Sequence, residues 1–162
     1  MLSFMGDGTE EHEALVGELI RLLGNLFVNY PHKVYGSNLA LHVPGAEKHY
    51  YNADCTVIKG QSEKVMLRGN MTAVANPVLT VEVLSPSTHN FDLGQKFQRY
   101  KTIPSLQQVL YVDSQEQRVI SYRRQDDKGT WLIEEFTENE SQVPVMDIGT
   151  MGIEDIYKVI EK

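Results

Sequence analysis

The chain has 162 residues, with 15 Lys or Arg against 22 Asp or Glu, a formal net charge of −7; 41% of residues are hydrophobic and 23% charged. These proportions exclude a disordered, fibrous or coiled-coil chain, and the length fits one domain around one core. A single cysteine, Cys55, excludes an internal disulfide and fits a reducing, cytoplasmic compartment.

Residues 1–7 hold no basic segment ahead of an apolar run, so no secretory signal is expected. The longest apolar-rich stretch, residues 15–28, carries Glu18, Arg21 and Asn25. It is too short and too polar to span a bilayer, and no membrane partner is expected. A pI near 5.2 argues at first against a polyanionic partner. The charge is uneven, however: residues 1–30 carry −4, residues 31–101 carry +3 and residues 102–162 carry −6. A phosphate site belongs in the middle third.

Residues 1–8 read as a loose tail and residues 9–162 as a single domain. Thr9 suits a helix cap, with Glu10 and Glu11 in the positive first turn. From Glu10 to about Val28 the apolar positions Leu15, Val16, Leu19, Ile20, Leu22, Leu23, Leu26 and Phe27 fall on one arc of a helix. His12 lies near the middle of that arc and Glu18 just off its edge. After Pro31 the period becomes two. Residues 34–43 and 50–58 read as strands, separated by the Pro44-Gly45 turn. Residues 59–76 are polar, with a short extra strand at 65–67. Residues 77–84 are nearly continuous in apolar and β-branched side chains, the pattern of a central buried strand.

The turn chemistry of residues 85–90 precedes a helix over 91–101, which ends before Pro104. Strands follow at 108–112, 119–123 and 131–136, the last two joined as a hairpin through residues 125–129. A short helix over 152–160 closes the chain. The order α-β-β-β-α-β-β-β predicts an α+β fold, a mixed sheet with helices packed on it.

Glu82 interrupts the most apolar strand, and an unpartnered buried carboxylate costs several kcal/mol, roughly. It either faces solvent or pairs with a lysine, or it points into a polar pocket where a metal or base offsets the cost. Asp54 has the same character, because aspartate is disfavoured within strands; alone it also fits a strand-entry turn. Two acids on adjacent strands form an oxygen-ligand site for Mg²⁺ or Mn²⁺. In the following helix Asp92, Lys96 and Tyr100 repeat at i, i+4 and i+8, so Lys96 can lean back toward Glu82. The plainer alternative is an exposed Asp92–Lys96 pair worth about 0.3–0.5 kcal/mol. Two acids and a lysine suit metal-assisted phosphodiester hydrolysis. His12 reads first as a core histidine, and the remaining histidines lack metal-site spacing. Cys55 faces away from Asp54 and reads as packing. No glycine-rich phosphate loop is present, so no organic cofactor is expected.

These residues, in this order, resemble the Uma-type family of restriction-endonuclease-like proteins within the PD-(D/E)XK nuclease superfamily. The matching pieces are residues 9–26, 35–39, 50–54, then Glu82-Val83-Leu84-Ser85-Pro86-Ser87-Thr88 with Asp92, Lys96 and Tyr100, and finally residues 109–113. The resemblance implies a restriction-endonuclease-like mixed sheet flanked by helices, with Asp54 and Glu82 as metal-binding acids. The lysine that the superfamily usually carries two positions after the Glu is Leu84 here. In this family it is supplied by the next helix, where Lys96 matches. Three further departures stand out: Ala53 where a Pro precedes the Asp, Asn38 where an Asp occurs, and Gln107-Gln108-Val109 where a Glu-Tyr-Trp stretch occurs.

The sequence reading is a Mg²⁺- or Mn²⁺-dependent DNA endonuclease in which Asp54 and Glu82 hold the metal. Lys96 assists the water or the phosphate, and His12, Glu18, Asp92 and Tyr100 support them. DNA is the expected partner and a homodimer the expected assembly, since small nucleases often need two copies to cut both strands. The alternatives are an inactive module on the same fold that binds nucleic acid or protein, and metal-dependent hydrolysis of another substrate.

Overall fold

The long apolar run Pro77–Leu84 forms β7, the strand around which the rest is arranged. The computed structural model describes residues 9–46, 48–86 and 92–160, with the backbone alone at Asp92. The expected tail at 1–8, the turn at 87–90 and the Asp92 side chain lie outside the described residues.

Helix α1 spans Glu10–Leu26, and the Thr9 hydroxyl caps it by accepting from the His12 backbone N–H at 3.1 Å. The strands that follow are β1 (His32–Tyr35), β2 (Ala40–His42), β3 (Tyr50–Asn52), β4 (Cys55–Lys59), β5 (Lys64–Met66) and β6 (Thr72–Val74). Beyond β7, a π-helical turn over Asp92–Lys96 runs into α2, Phe97–Tyr100. Then come β8 (Gln108–Asp113), β9 (Val119–Arg124), β10 (Trp131–Phe136), β11 (Gln142–Val145), β12 (Gly149–Gly152) and α3 (Ile153–Tyr157). Among the described residues no helix is long and apolar enough to cross a membrane.

The central sheet has the order β1-β4-β7-β8-β9-β10. Its β7–β8 pair is parallel and its other pairs are antiparallel. A parallel pair needs a crossover, and here the crossover contains α2. A second, four-stranded sheet has the order β3-β2-β6-β5, and β11 with β12 forms a separate hairpin.

Side-chain alternation divides the core in two. Leu79, Val81 and Val83 of β7 pack with Leu15, Leu19 and Leu23 of α1 and with Val143, Val145 and Met151 of the hairpin. On the other face Leu84 packs with Phe97 and Tyr100 of α2, Val109 and Tyr111 of β8 and Leu41 of the small sheet. The mixed α+β class is as expected. The element order is more divided than expected, for local reasons. The stretch 34–43 breaks at Gly36-Ser37-Asn38, so β1 joins the central sheet while β2 joins the small one. The stretch 50–58 breaks at Ala53-Asp54, where the aspartate takes its hydrogen bond from another strand. The helix expected over 91–101 is a π turn followed by one α-helical turn, and the closing helix spans only Ile153–Tyr157.

Candidate active site

The site forms where β4 begins and β7 nears its end. Cys55 pairs with Val81 in the antiparallel register, so one step further Asp54 and Glu82 oppose each other. Alternation turns Glu82 away from α1, toward α2, while Asp54, in the bend just ahead of β4, reaches the first turn of α1. Cys55, one residue on, is fully buried. Burial, then the nearby charges of Asp54 and Glu82, pushes its thiol far up, which removes it as a nucleophile.

Asp54 is fixed by backbone and imidazole. Its Oδ2 accepts the Val83 N–H at 2.7 Å, so the acid replaces a ladder bond where the strand breaks. Its Oδ1 lies 3.4 Å from His12 Nε2. That carboxylate raises the His12 pKa above the ordinary imidazole value, against a burial effect that lowers it. His12 is buried at the first turn of α1, and Glu13 Oε2 lies 3.7 Å from its Nδ1. The helix thus delivers one imidazole to the edge of the sheet, held there by the Thr9 cap.

Glu82 is only 3% exposed, and a charge at that depth requires partners. Lys96 Nζ lies 2.6 Å from Glu82 Oε2, and the Tyr100 hydroxyl donates to the same oxygen. Both partners come from the crossover, four residues apart, so the lysine does reach back as its spacing predicts. Lys96 Nζ also sits 5.2 Å from the centre of the Tyr51 ring and 5.8 Å from that of Tyr100. The two rings meet edge to face at 5.5 Å, a favourable aromatic geometry.

The structure therefore gathers Asp54, Glu82, Lys96, Tyr100 and His12. It engages Glu18 elsewhere: that buried carboxylate binds Arg21 at 2.5 and 2.9 Å and lies 3.6 Å from Lys158. The Asp92 side chain is outside the described residues. Tyr51 was not singled out from the sequence. Its signal was the aromatic pair Tyr50-Tyr51 just ahead of Asp54, with alternation aiming only the second ring inward.

For a cation, the described residues offer two carboxylates. They include no cluster of three or more His, Cys, Asp or Glu arranged around a metal position. Two hard oxygen donors suit Mg²⁺ or Mn²⁺, which retain several waters and need few protein ligands, and do not suit structural zinc.

Known proteins resemble the chain in sequence and in fold. The chain is 33% identical over 132 residues to an uncharacterized protein of Synechocystis sp., covering 82% of this chain and 72% of that one. A second uncharacterized Synechocystis protein is 29% identical over 155 residues, covering 95% and 78%. Among solved structures, the fold matches that of a putative nuclease belonging to DUF820 from Anabaena variabilis. The TM-score is 0.70 at 20% identity, over 93% of this chain and 82% of that one. The model of the Uma2 family, described as putative restriction endonuclease, matches residues 2–154. With that match spanning nearly the whole sequence, the chain belongs to the Uma2 family.

Proposed function

We propose that this chain is a divalent-metal-dependent nuclease that hydrolyses phosphodiester bonds in DNA. The observation that carries the reading is the buried Glu82 carboxylate, opposed across the strands to Asp54 and held at 2.6 Å by Lys96. A buried acid, a second acid and an ammonium group meet at one end of two central strands in a chain of a nuclease-like family. A stability role alone explains that arrangement poorly, since buried ion pairs are often replaceable by apolar residues without loss.

In this reading Asp54 and Glu82 hold Mg²⁺ or Mn²⁺. When bound there, such an ion polarises the phosphate and lowers the pKa of a coordinated water. Lys96 orients the attacking water and offsets charge that accumulates on the phosphoryl oxygens. The Tyr100 hydroxyl fixes the Glu82 carboxylate through Oε2. His12 and the Val83 N–H fix the two oxygens of Asp54, so both acids are oriented before any ligand arrives.

The test is nicking of supercoiled plasmid in Mg²⁺ or Mn²⁺. Wild type is expected to nick, and Glu82→Ala and Lys96→Met to lose at least about a hundredfold in rate, as for removal of one electrostatic group at a reacting centre. Equal background cleavage by wild type and Glu82→Ala would sink the catalytic reading. Salt-sensitive DNA binding without turnover would favour a binding module instead.

A further inference from the structure

The end of the central sheet remote from Asp54 and Glu82 carries a cleft of about 300 Å³, whose lining includes His32, Lys59, Arg123, Arg124 and Asp147. Lys59 is five residues from Asp54 along the β4 direction, roughly 16 Å at ~3.3 Å per residue. The cleft also opens on the other face. Alternation puts Lys59 on the side of Cys55 and Val57, toward α1. His32 stacks on Phe27 at the end of α1, with ring centres 4.8 Å apart. It is therefore separate from the acids and from Lys96.

Three cations line this cleft in a chain of net charge −7. Lys59 has no ion pair among the described residues. Arg123 Nη2 meets Asp147 Oδ1 at 2.5 Å, and the Asp147 side chain is 97% exposed. Arg124 is anchored by its donors to the Leu106 and Ile103 carbonyls, at 2.6 and 3.0 Å, and by the Trp131 ring at 4.5 Å. His32 Nδ1 is buried with no hydrogen-bond partner, so Nε2 is the nitrogen left to meet a ligand. Burial and then the Lys59 charge lower its pKa below the ordinary imidazole value.

The turn that presents Asp147 is held in place at a cost. Met146 has φ 48°, in the left-handed region that side chains with a Cβ rarely adopt. Its N–H donates to Gln108 Oε1 at 2.7 Å. Gln108 is fully buried, and its Nε2 donates to Ser121 Oγ and to the Pro144 carbonyl, both at 2.9 Å. A buried glutamine thus over-determines a strained turn at the rim of a basic cleft, an arrangement that recurs at ligand sites.

We propose that this cleft binds a phosphoryl group. Lys59 and Arg123 supply the countercharge, His32 an N–H donor, and the Asp147 carboxylate occupies Arg123 until a ligand displaces it. A guanidinium matches phosphate oxygens as well as carboxylate oxygens, so the exchange conserves the arginine's hydrogen bonds. The proposal is independent of the nuclease reading.

The full-length protein, labelled with ¹⁵N in metal-free Tris, is titrated with inorganic phosphate and followed by amide shifts. Shifts are expected around residues 32, 59, 123 and 147. Lys59→Ala and Arg123→Ala are expected to weaken binding by about tenfold each, the scale of a charge-assisted hydrogen bond. Asp147→Asn is expected to tighten it by about threefold or more, which a merely structural Asp147 would not do. Glu82→Gln is expected to leave the affinity unchanged even if the chain proves to be no nuclease. Parallel titrations with adenosine monophosphate and with a short thymidine strand lacking a terminal phosphate separate a monoester from a nucleic-acid backbone. Either supports a phosphoryl site. Absence of shifts at these residues, or an affinity that Lys59→Ala and Asp147→Asn both leave unmoved, would overturn it. So would a loss in Glu82→Gln as large as in Lys59→Ala.

Discussion

Lys96→Met removes the ammonium that faces Glu82, while the acid stays at 5% side-chain exposure. At 2.6 Å and an effective dielectric near 20, the lost attraction is about 6 kcal/mol before desolvation is counted. Breaking a buried pair from one side typically costs about 3–5 kcal/mol. The Tyr100 hydroxyl still donates to Oε2, which favours the lower end, near 3 kcal/mol. For a chain of this length that lowers Tm by roughly 6–12 °C. Glu82→Gln should cost less, about 1–2 kcal/mol, because the Lys96 ammonium keeps the Tyr51 and Tyr100 rings as cation–π partners. The double variant Glu82→Gln/Lys96→Met carries neither charge, so its cost should fall below the sum of the two by about 2 kcal/mol. Urea unfolding in chelator, followed by circular dichroism, measures the cycle without interference from metal. Single costs that add to within about 0.5 kcal/mol would refute the reasoning, since the two charges would then not be coupled.

Mg²⁺ or Mn²⁺ at ten times its dissociation constant should stabilise wild type by about 1.4 kcal/mol, and differential scanning calorimetry should show no such gain in Asp54→Asn or Glu82→Gln. Asp54 has a second duty that the same variants separate. Asp54→Ala strands the Val83 N–H and should cost about 1–3 kcal/mol in a urea titration, whereas Asp54→Asn keeps an acceptor there and should cost less than 1 kcal/mol, roughly. The Arg21 guanidinium holds the Glu18 pKa below its ordinary value. A depressed folded-state pKa gives stability that is present above the unfolded value and is lost as pH falls through the folded one. Glu18→Gln should therefore lose about 1 kcal/mol near pH 7 and progressively less as pH falls through the folded-state pKa; a loss that does not shrink in acid would contradict the ion pair.

What the sequence disclosed follows from the strength of each local signal. The α1 arc and its Thr9 cap combine a long apolar period with a residue of strong positional preference, and both are seen in the structure. The β7 run with one acid inside it marks the site because a buried carboxylate is too costly to be incidental. Lys96 was legible because it follows the Glu82 strand closely in sequence, and helical side chains lean toward the helix start. Other features depend on contacts that no short window contains. Glu18 sits six residues along α1 from His12, and only the arrival of Lys158 from the chain's end shows that its face is not the site's. The β11–β12 hairpin contains Pro144 and two glycines, Gly149 and Gly152, and so has little strand propensity. It forms because Val143, Val145 and Met151 bury against α1 and β7. The breaks at residues 36–38 and 53–54 are invisible to an alternation pattern, because apolar spacing continues across them while the chain changes sheet.

The charge balance has a local resolution. A net −7 would repel DNA if the charges acted from one point, but screening limits exposed charges to about 8–10 Å in physiological salt. Within that radius, Glu82 is matched by Lys96 at 2.6 Å and Asp54 faces an imidazole whose pKa it raises. Glu13 adds a further carboxylate 3.7 Å from His12 Nδ1, so acids outnumber cations around the site, and a divalent ion would offset that surplus. Further acids are Glu10 and Glu11, exposed in the first turn of α1, and Glu134 and Glu135, exposed on the edge strand β10, where Arg118 lies 3.5 Å from Glu135. These flank the fold on the α1 side and at the far edge of the central sheet. The exposed base Lys64 belongs to the small sheet, Arg68 to the turn that follows β5, and Arg99 to α2. In the proposed reaction a duplex would approach over α2 and the small sheet, where Lys64, Arg68 and Arg99 are exposed cations. The acidic surplus would then select the direction of approach and weaken non-specific contact elsewhere.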